Sequence, residues 1–260
     1  MRVDIFTSGI WQTTSTVLSA GGACVVVDPA YFPRELDAIA ARVAELGRAE
    51  AVVFTHGHWD HVMGHTALPE APVWLHAALA SAIEHGDRQA AAYLEEARRF
   101  DERWYVPRPG GYRWPAVRRG LGHGEHADVA GKLALEFLHL PGHSRDGLGL
   151  IAHAAGVACV GDYLSPCEIP FIEDPIAYAS TLHRLIDVAV GVRQVIPGHG
   201  PPLAPTEAIA IARADLAYVL ALLGAPDADA ARAIPLPRAA DVPGMREHHL
   251  DNIRAIVPNA

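Results

Sequence analysis

Thr55-His56-Gly57-His58-Trp59-Asp60-His61 follows directly on the apolar run Ala51-Val52-Val53-Phe54. Three imidazoles and a carboxylate, all able to bind a metal, fall between positions 56 and 61. That donor set suits zinc or a neighbouring borderline metal such as iron or manganese. A strand that stops at Thr55 leaves the next residues in a tight loop, where Gly57 lets the backbone bend between two ligands. His56 and His58, two apart in such a loop, can point at one ion. Asp60 and His61 lie where the loop turns into a helix and can face a second ion beside the first.

Three later segments repeat the pattern of a ligand directly after an apolar strand. Leu133–Leu140 leads to Pro141-Gly142-His143-Ser144, Val157–Val160 to Gly161-Asp162, and Val195-Ile196 to Pro197-Gly198-His199-Gly200. In layered α/β architecture the C-terminal edges of strands are where ligands gather. Seven such side chains are too many for one tetrahedral ion and suit two ions that share a carboxylate. The natural partition is His56, His58 and His143 on one metal, Asp60, His61 and His199 on the other, with Asp162 as the bridge. A water held between two such ions has its pKa lowered toward neutrality, which makes a bridging hydroxide available as nucleophile.

The rest of the chain reads as a frame for these loops. Val3–Phe6, Thr14–Ser19 and Ala23–Val27 are expected strands, the last two joined at Gly21-Gly22. Leu36, Ile39, Ala40, Val43 and Leu46 have helical spacing, with Gly47 as the stop. Val73–Leu75 is a short strand. Ala77–Tyr105 reads as one or two helices broken near Gly86, followed by a proline-, glycine- and aromatic-rich loop from Pro107 to Pro115. Leu148–Ala152 and Val157–Val160 form a hairpin, and Asp174-Pro175 starts a helix. Thr206–Leu223 is a strong helix with Thr206 as its expected cap, and Met245–Ile256 is the final one. This predicts a catalytic domain over 1–205 with a helical insertion at about 77–119, and a C-terminal helical extension over 206–260 packed on it.

Composition narrows the setting. The 260 residues carry a formal charge of −9, which argues against a nucleic-acid partner. Lys132 is the only lysine. Cys24, Cys159 and Cys167 lack C-x-x-C pairing and fit reduced thiols in a cytoplasmic setting. The N-terminus, Met1-Arg2-Val3-Asp4-Ile5-Phe6, lacks the apolar run of a signal peptide, and no stretch reaches membrane-spanning length. Expected partners are a small-molecule substrate and, as an open option, a second copy of the chain in a homodimer.

His56-x-His58-x-Asp60-His61, Pro-Gly-His143, Gly-Asp162 and Pro-Gly-His199-Gly, in this order over roughly residues 1–205, resemble the metallo-β-lactamase superfamily, including its glyoxalase-II-like thioesterases and lactonases. The resemblance implies an αββα sandwich of two mixed β-sheets flanked by helices, here with the insertion and the C-terminal helices added. It differs from the β-lactamases proper, which usually lack the bridging aspartate, and from glyoxalase II itself, which holds glutathione partly through lysines. The expected activity is hydrolysis of a small acyl bond (thioester, lactone or ester) by a centre of two divalent ions, with zinc first and iron or manganese as alternatives. Asp60 orients the nucleophile and accepts its proton. Trp11, Trp59, Tyr163 and Phe171 are candidate pocket residues, with the insertion through Trp104 and Tyr105 as a further wall. Competing readings are a phosphodiesterase with the same centre, a sulfur dioxygenase holding one iron through His56, His143 and Asp162, and a regulator with vestigial turnover.

Overall fold

Strands with both faces buried dictate a layered arrangement, because each needs a cover on either side. The computed structural model describes residues 1–257. The first sheet has the order β1 (Arg2–Thr7), β2 (Thr14–Ala20), β3 (Ala23–Val27), β4 (Arg48–Val53), β5 (Val73–His76) and β6 (Val117–Leu121). It is antiparallel from β1 to β3 and parallel from β3 to β6. The second sheet runs β11 (Gln194–Ile196), β10 (Val157–Cys159), β9 (Leu148–Ala152), β8 (Leu133–His139) and β7 (His126–Val129). Only its β10–β11 pair is parallel.

Alternation along the strands sorts the side chains into layers. Val25, Val27, Ala51 and Val53 of the first sheet meet Leu135, Phe137, Leu150 and Cys159 of the second in the central core. Cys24 and Val26 point the other way, onto Leu36, Ile39 and Val43 of α1 (Pro33–Leu46). The outer face of the second sheet, through Ile151, Ala158 and Val195, is covered by α5 (Pro175–Gly191) and α6 (Pro205–Leu223). The protein is therefore an α/β sandwich of two mixed sheets flanked by helices, as expected.

Between these come α2 (Trp59–Val62), a 3₁₀ turn at Met63–Ala67, α3 (Ala77–Glu84) and α4 (Arg88–Trp104). The break near Gly86 falls between α3 and α4. The helical stretch does not extend to residue 119: from Val117 the chain rejoins the first sheet as β6. That strand and β7 carry Val-Arg-Arg-Gly-Leu and His-Ala-Asp-Val, too polar to register as apolar runs. At the C-terminus, α6 begins one residue earlier than expected, because Pro205 occupies its first turn. Glu207 accepts a hydrogen bond from Ala204 N (2.8 Å), so Ala204, not Thr206, is the cap. The chain ends in α7 (Ala228–Arg232) and α8 (Met245–Ile256). Among the described residues no helix is long and apolar enough to cross a membrane, and all three cysteines are free.

Candidate metal centre

Strand direction brings the loops together. β8 and β10 are both antiparallel to β9, and β11 is parallel to β10, so all three finish at one edge of the second sheet. The loop after β4 joins that edge through the bond from Leu148 N to Thr55 O, 2.6 Å. His199 is tied to the start of β2 by a bridge to Thr13.

The structure places all seven expected ligand residues there. Donor atoms of His56, His58, His143 and Asp162 lie within 4.8 Å of one another, as do those of Asp60, His61 and His199. His58 Nδ1 is 2.9 Å from His56 Nε2 and 3.0 Å from His143 Nε2. His61 Nε2 is 3.3 Å from His199 Nε2 and 3.3 Å from Asp60 Oδ2. Asp162 faces both groups: Oδ2 is 3.4 Å from His56 and His143 and 3.3 Å from His199, while Oδ1 is 3.1 Å from His61.

Whether this cluster fits a metal turns on where the imidazole protons sit, and the outer ring nitrogens decide that. His61 Nδ1 meets Asp28 Oδ2 at 3.0 Å, His143 Nδ1 meets Phe171 O at 3.0 Å, and His199 Nδ1 meets Trp11 O at 3.1 Å. His56 Nδ1 is 3.1 Å from Thr55 Oγ1, whose own proton goes to Asp28 Oδ2. The outer nitrogen of each of these four rings therefore donates, which makes Nε2 the atom that can ligate once it carries no proton. Imidazole nitrogens converging beside a shared carboxylate are a ligand set once they are neutral, so the two clusters are consistent with a di-metal centre.

Glycines make room for it. A Cβ on Gly198 would lie 2.2 Å from Asp162 Oδ1, and Gly142, at φ 124°, would bring one within 2.3 Å of Tyr178 N. The Trp11–Gln12 turn, with φ of 46° and 58°, is the unusual backbone that delivers Trp11 O to His199.

The metal-free charges differ between the two groups. Burial holds His58 well below its ordinary pKa and pushes His143 down to about 4 even against the pull of Asp162. Burial, the largest single effect, would also lower His61 and His199, but Asp162 and Asp60, with Asp28 at His61 and Glu168 at His199, together outweigh it. His61 stands well above the ordinary value and His199 at about 10. An imidazolium cannot ligate, so an ion entering the Asp60–His61–His199 group must displace protons. While those groups stay protonated, affinity there falls with each step down in pH; His58 and His143 add no such dependence near neutrality. Zinc titrations between pH 8 and pH 6 are expected to show two site classes diverging as pH falls. Proton release of about one to two per ion is expected for the weaker class. Parallel curves with no proton release would contradict this assignment.

A cleft of about 470 Å³ opens onto the centre. Trp11, Trp59 and Phe171 line it, with Glu96, Cys167, Glu168 and, from the C-terminal segment, Val242–Met245 and His248. Tyr163 does not: it is 2 % exposed, its hydroxyl donates to Pro141 O (2.7 Å) and accepts from His143 N (2.9 Å), and so it braces the His143 loop from behind. Trp104 and Tyr105 are absent from the lining and stand 59 % and 92 % exposed; the insertion reaches the cleft through Glu96 of α4 instead. Burial pushes Glu168 up to about 7.

The comparisons with known proteins agree with this geometry. A family model described as the metallo-beta-lactamase superfamily matches residues 8–221, most of the chain. The chain belongs to the metallo-β-lactamase superfamily. Among solved structures it is similar to TTHA1623 in a di-iron-bound form, at 26 % identity over 79 % of this chain and 96 % of that one, with a TM-score of 0.58. It also resembles the metallo-β-lactamase family protein TTHA1429 from Thermus thermophilus (24 % identity, 97 % and 92 % covered, TM-score 0.65). ETHE1 from Myxococcus xanthus shares the fold at 18 % identity (98 % and 100 % covered, TM-score 0.60). No curated protein matches.

Asp28 is a site residue of this chain that no sequence motif marked: its carboxylate meets Thr55 and His61 Nδ1. It directly follows the apolar strand β3, but its role is set by the parallel neighbour β4, which brings Thr55 beside it. Glu96, Glu168 and His248 carried no comparable signal, because nothing in their spacing ties them to a strand end. The other isolated histidines stay outside: His76 caps α3 through Ala78 N (3.2 Å) and stacks on His139 at 4.1 Å.

Proposed function

We propose that this protein is a two-metal hydrolase of the glyoxalase-II-like, lactonase-like kind, cleaving a small neutral thioester, lactone or ester. His56, His58 and His143 would hold one ion, Asp60, His61 and His199 the other, and Asp162 both. Two ions there supply Lewis-acid polarisation of a carbonyl and lower the pKa of water toward neutrality. Zinc suits the donors, and the similar TTHA1623, solved in a di-iron-bound form, makes iron the second candidate.

The observation that carries the substrate class is the charge of the cleft. Among its described lining residues there is no arginine or lysine; beside the carboxylates and the imidazoles the lining is aromatic or aliphatic, with the Gln12 amide, the Cys167 thiol and the Met245 thioether. A phosphodiester, or the carboxylates of glutathione, would find no side-chain cation to replace their lost hydration. A neutral acyl group can instead lie against Trp11, Trp59 and Phe171. Asp60 Oδ2 is steadied by Thr13 Oγ1 at 3.2 Å. It lines the cleft floor, where it can take the proton of an attacking water and later return it to the leaving group.

Metal analysis and a matched substrate panel test this. The expected result is two metal ions per chain and faster turnover of neutral thioesters, lactones or aryl esters than of phosphodiesters or anionic acyl analogues. One iron per chain with oxygen consumption on a persulfide would replace the proposal with the dioxygenase reading. A phosphodiester preference would replace it with the other.

A further inference from the structure

The C-terminal helix α8 supplies none of the seven ligand residues, yet it grips the peptide units that aim one of them. Asn252, 4 % exposed, donates from Nδ2 to Pro170 O (2.7 Å) and accepts at Oδ1 from Ile172 N (3.2 Å). Between those two contacts lies Phe171, whose carbonyl takes the Nδ1 proton of His143 (3.0 Å). From the geometry we infer that Asn252 is a positioning residue for His143: by clamping both sides of Phe171 it holds that carbonyl, and through it the imidazole, in the ligating orientation. This rests on the metal-centre reading and adds a third layer to it.

Chemistry favours asparagine at this position. A carboxamide offers one acceptor and one donor edge side by side, the complement of a peptide N–H and C=O on an extended segment. Its orientation is settled by its partners, since Ile172 N–H needs an oxygen while Pro170 O needs an N–H. The same Nδ2 also donates to Tyr218 Oη (3.2 Å), which passes its own proton to His249 Nδ1 (2.8 Å). The segment is fixed at its other end as well, where Glu173 N and Asp174 N donate to Gly142 O at 2.8 and 3.0 Å. Between those anchors, His143 itself apart, the polar side chain that holds the 170–172 stretch among the described residues is Asn252, from α8. The ring of His248, from the same helix, packs on Phe171 at 4.0 Å. Among the described residues no comparable link runs from α8 to His61 or His199, whose outer nitrogens face Asp28 and Trp11. Disturbing Asn252 should therefore loosen one cluster and spare the other.

The test is a zinc titration of Asn252→Ala and Asn252→Asp, the latter keeping the shape but facing Pro170 O with a second acceptor. Both variants are expected to bind one of the two zinc ions about 10- to 100-fold more weakly, the range for losing a group that orients a ligating imidazole. In the zinc-loaded protein the Nδ1–H resonance of His143 should broaden or vanish by NMR, while those of His61 and His199 persist. Tyr218→Phe is the control: it removes a hydroxyl from the same buried network but leaves both contacts around Phe171, so zinc affinity should stay at the wild-type value whatever it does to thermal stability. Wild-type affinity in both Asn252 variants overturns the inference while leaving the metal centre standing. So does a loss in all three variants that simply tracks their melting temperatures. A wild-type chain that takes up no zinc or iron would instead overturn the metal-centre reading itself.

Discussion

Replacing Asp162 by alanine is expected to lower turnover on the order of 10²- to 10³-fold, the scale of losing one preorganised charge at a reacting centre. It should also leave at most one tightly held metal ion per chain. Asp162 faces both clusters with its carboxylate, within 3.4 Å of His56, His61, His143 and His199. Burial alone would make it a weak acid, but His61, His199 and His56 outweigh that and keep it ionised far below the usual carboxylate range. Removing the charge leaves two cationic sites facing each other across an uncharged gap, and the second ion is the one that repulsion expels. Asp162→Asn separates charge from shape; it should resemble the alanine variant in metal content while retaining more thermal stability. Elemental analysis beside steady-state rates decides the matter. Two tightly bound ions and undiminished turnover in either variant would remove Asp162 from the centre.

The sequence made the ligands legible because each sits directly after an apolar strand, where chain direction alone brings it to a common edge. His56, His143, Asp162 and His199 needed no knowledge of sheet order. Asp28 did. Its meaning depends on β3 and β4 being parallel neighbours in a register that pairs Val27 with Val53, so that the next residues of both strands lie side by side. Read alone, Asp28-Pro29 looks like the entry to α1. Tyr163 misled for the opposite reason: adjacency to a ligand in sequence says nothing of which way the next side chain points, and this one points back into the core. The strands β6 and β7 were lost because charged residues on an edge strand erase the apolar run by which strands are found. The cleft walls from α4 and α8 are assembled by packing between segments about 150 residues apart, which no local pattern encodes.

Asp28 also carries the other large expected effect. It is 1 % exposed, and it accepts three hydrogen bonds: Thr55 N at 2.7 Å on Oδ1, then Thr55 Oγ1 at 2.5 Å and His61 Nδ1 at 3.0 Å on Oδ2. Through Thr55 it orders His56, and directly it orders His61, so one carboxylate sets a tautomer in each cluster. Asp28→Ala strands these donors in the interior and should destabilise the protein by about 3–5 kcal/mol, as when a buried charge partner is removed. That result alone would not separate folding from metal binding. Asp28→Asn does, because asparagine tolerates the φ of 44° found here and still accepts from Thr55 N. Its amide nitrogen would then replace Oδ2 and present a donor to His61 Nδ1. In the neutral ring that ligation needs, the His61 proton then sits on Nε2, and the atom that would ligate becomes a donor. The Asn variant is therefore expected to fold with a modest loss of stability. The ion on the Asp60–His61–His199 side should bind about 10- to 100-fold more weakly. Thermal unfolding of the metal-free protein and zinc titration, run side by side, give the two readings. Unaltered zinc affinity in a well-folded Asp28→Asn chain would show that the outer nitrogens do not govern this centre, and the tautomer argument for all four histidines would fall with it.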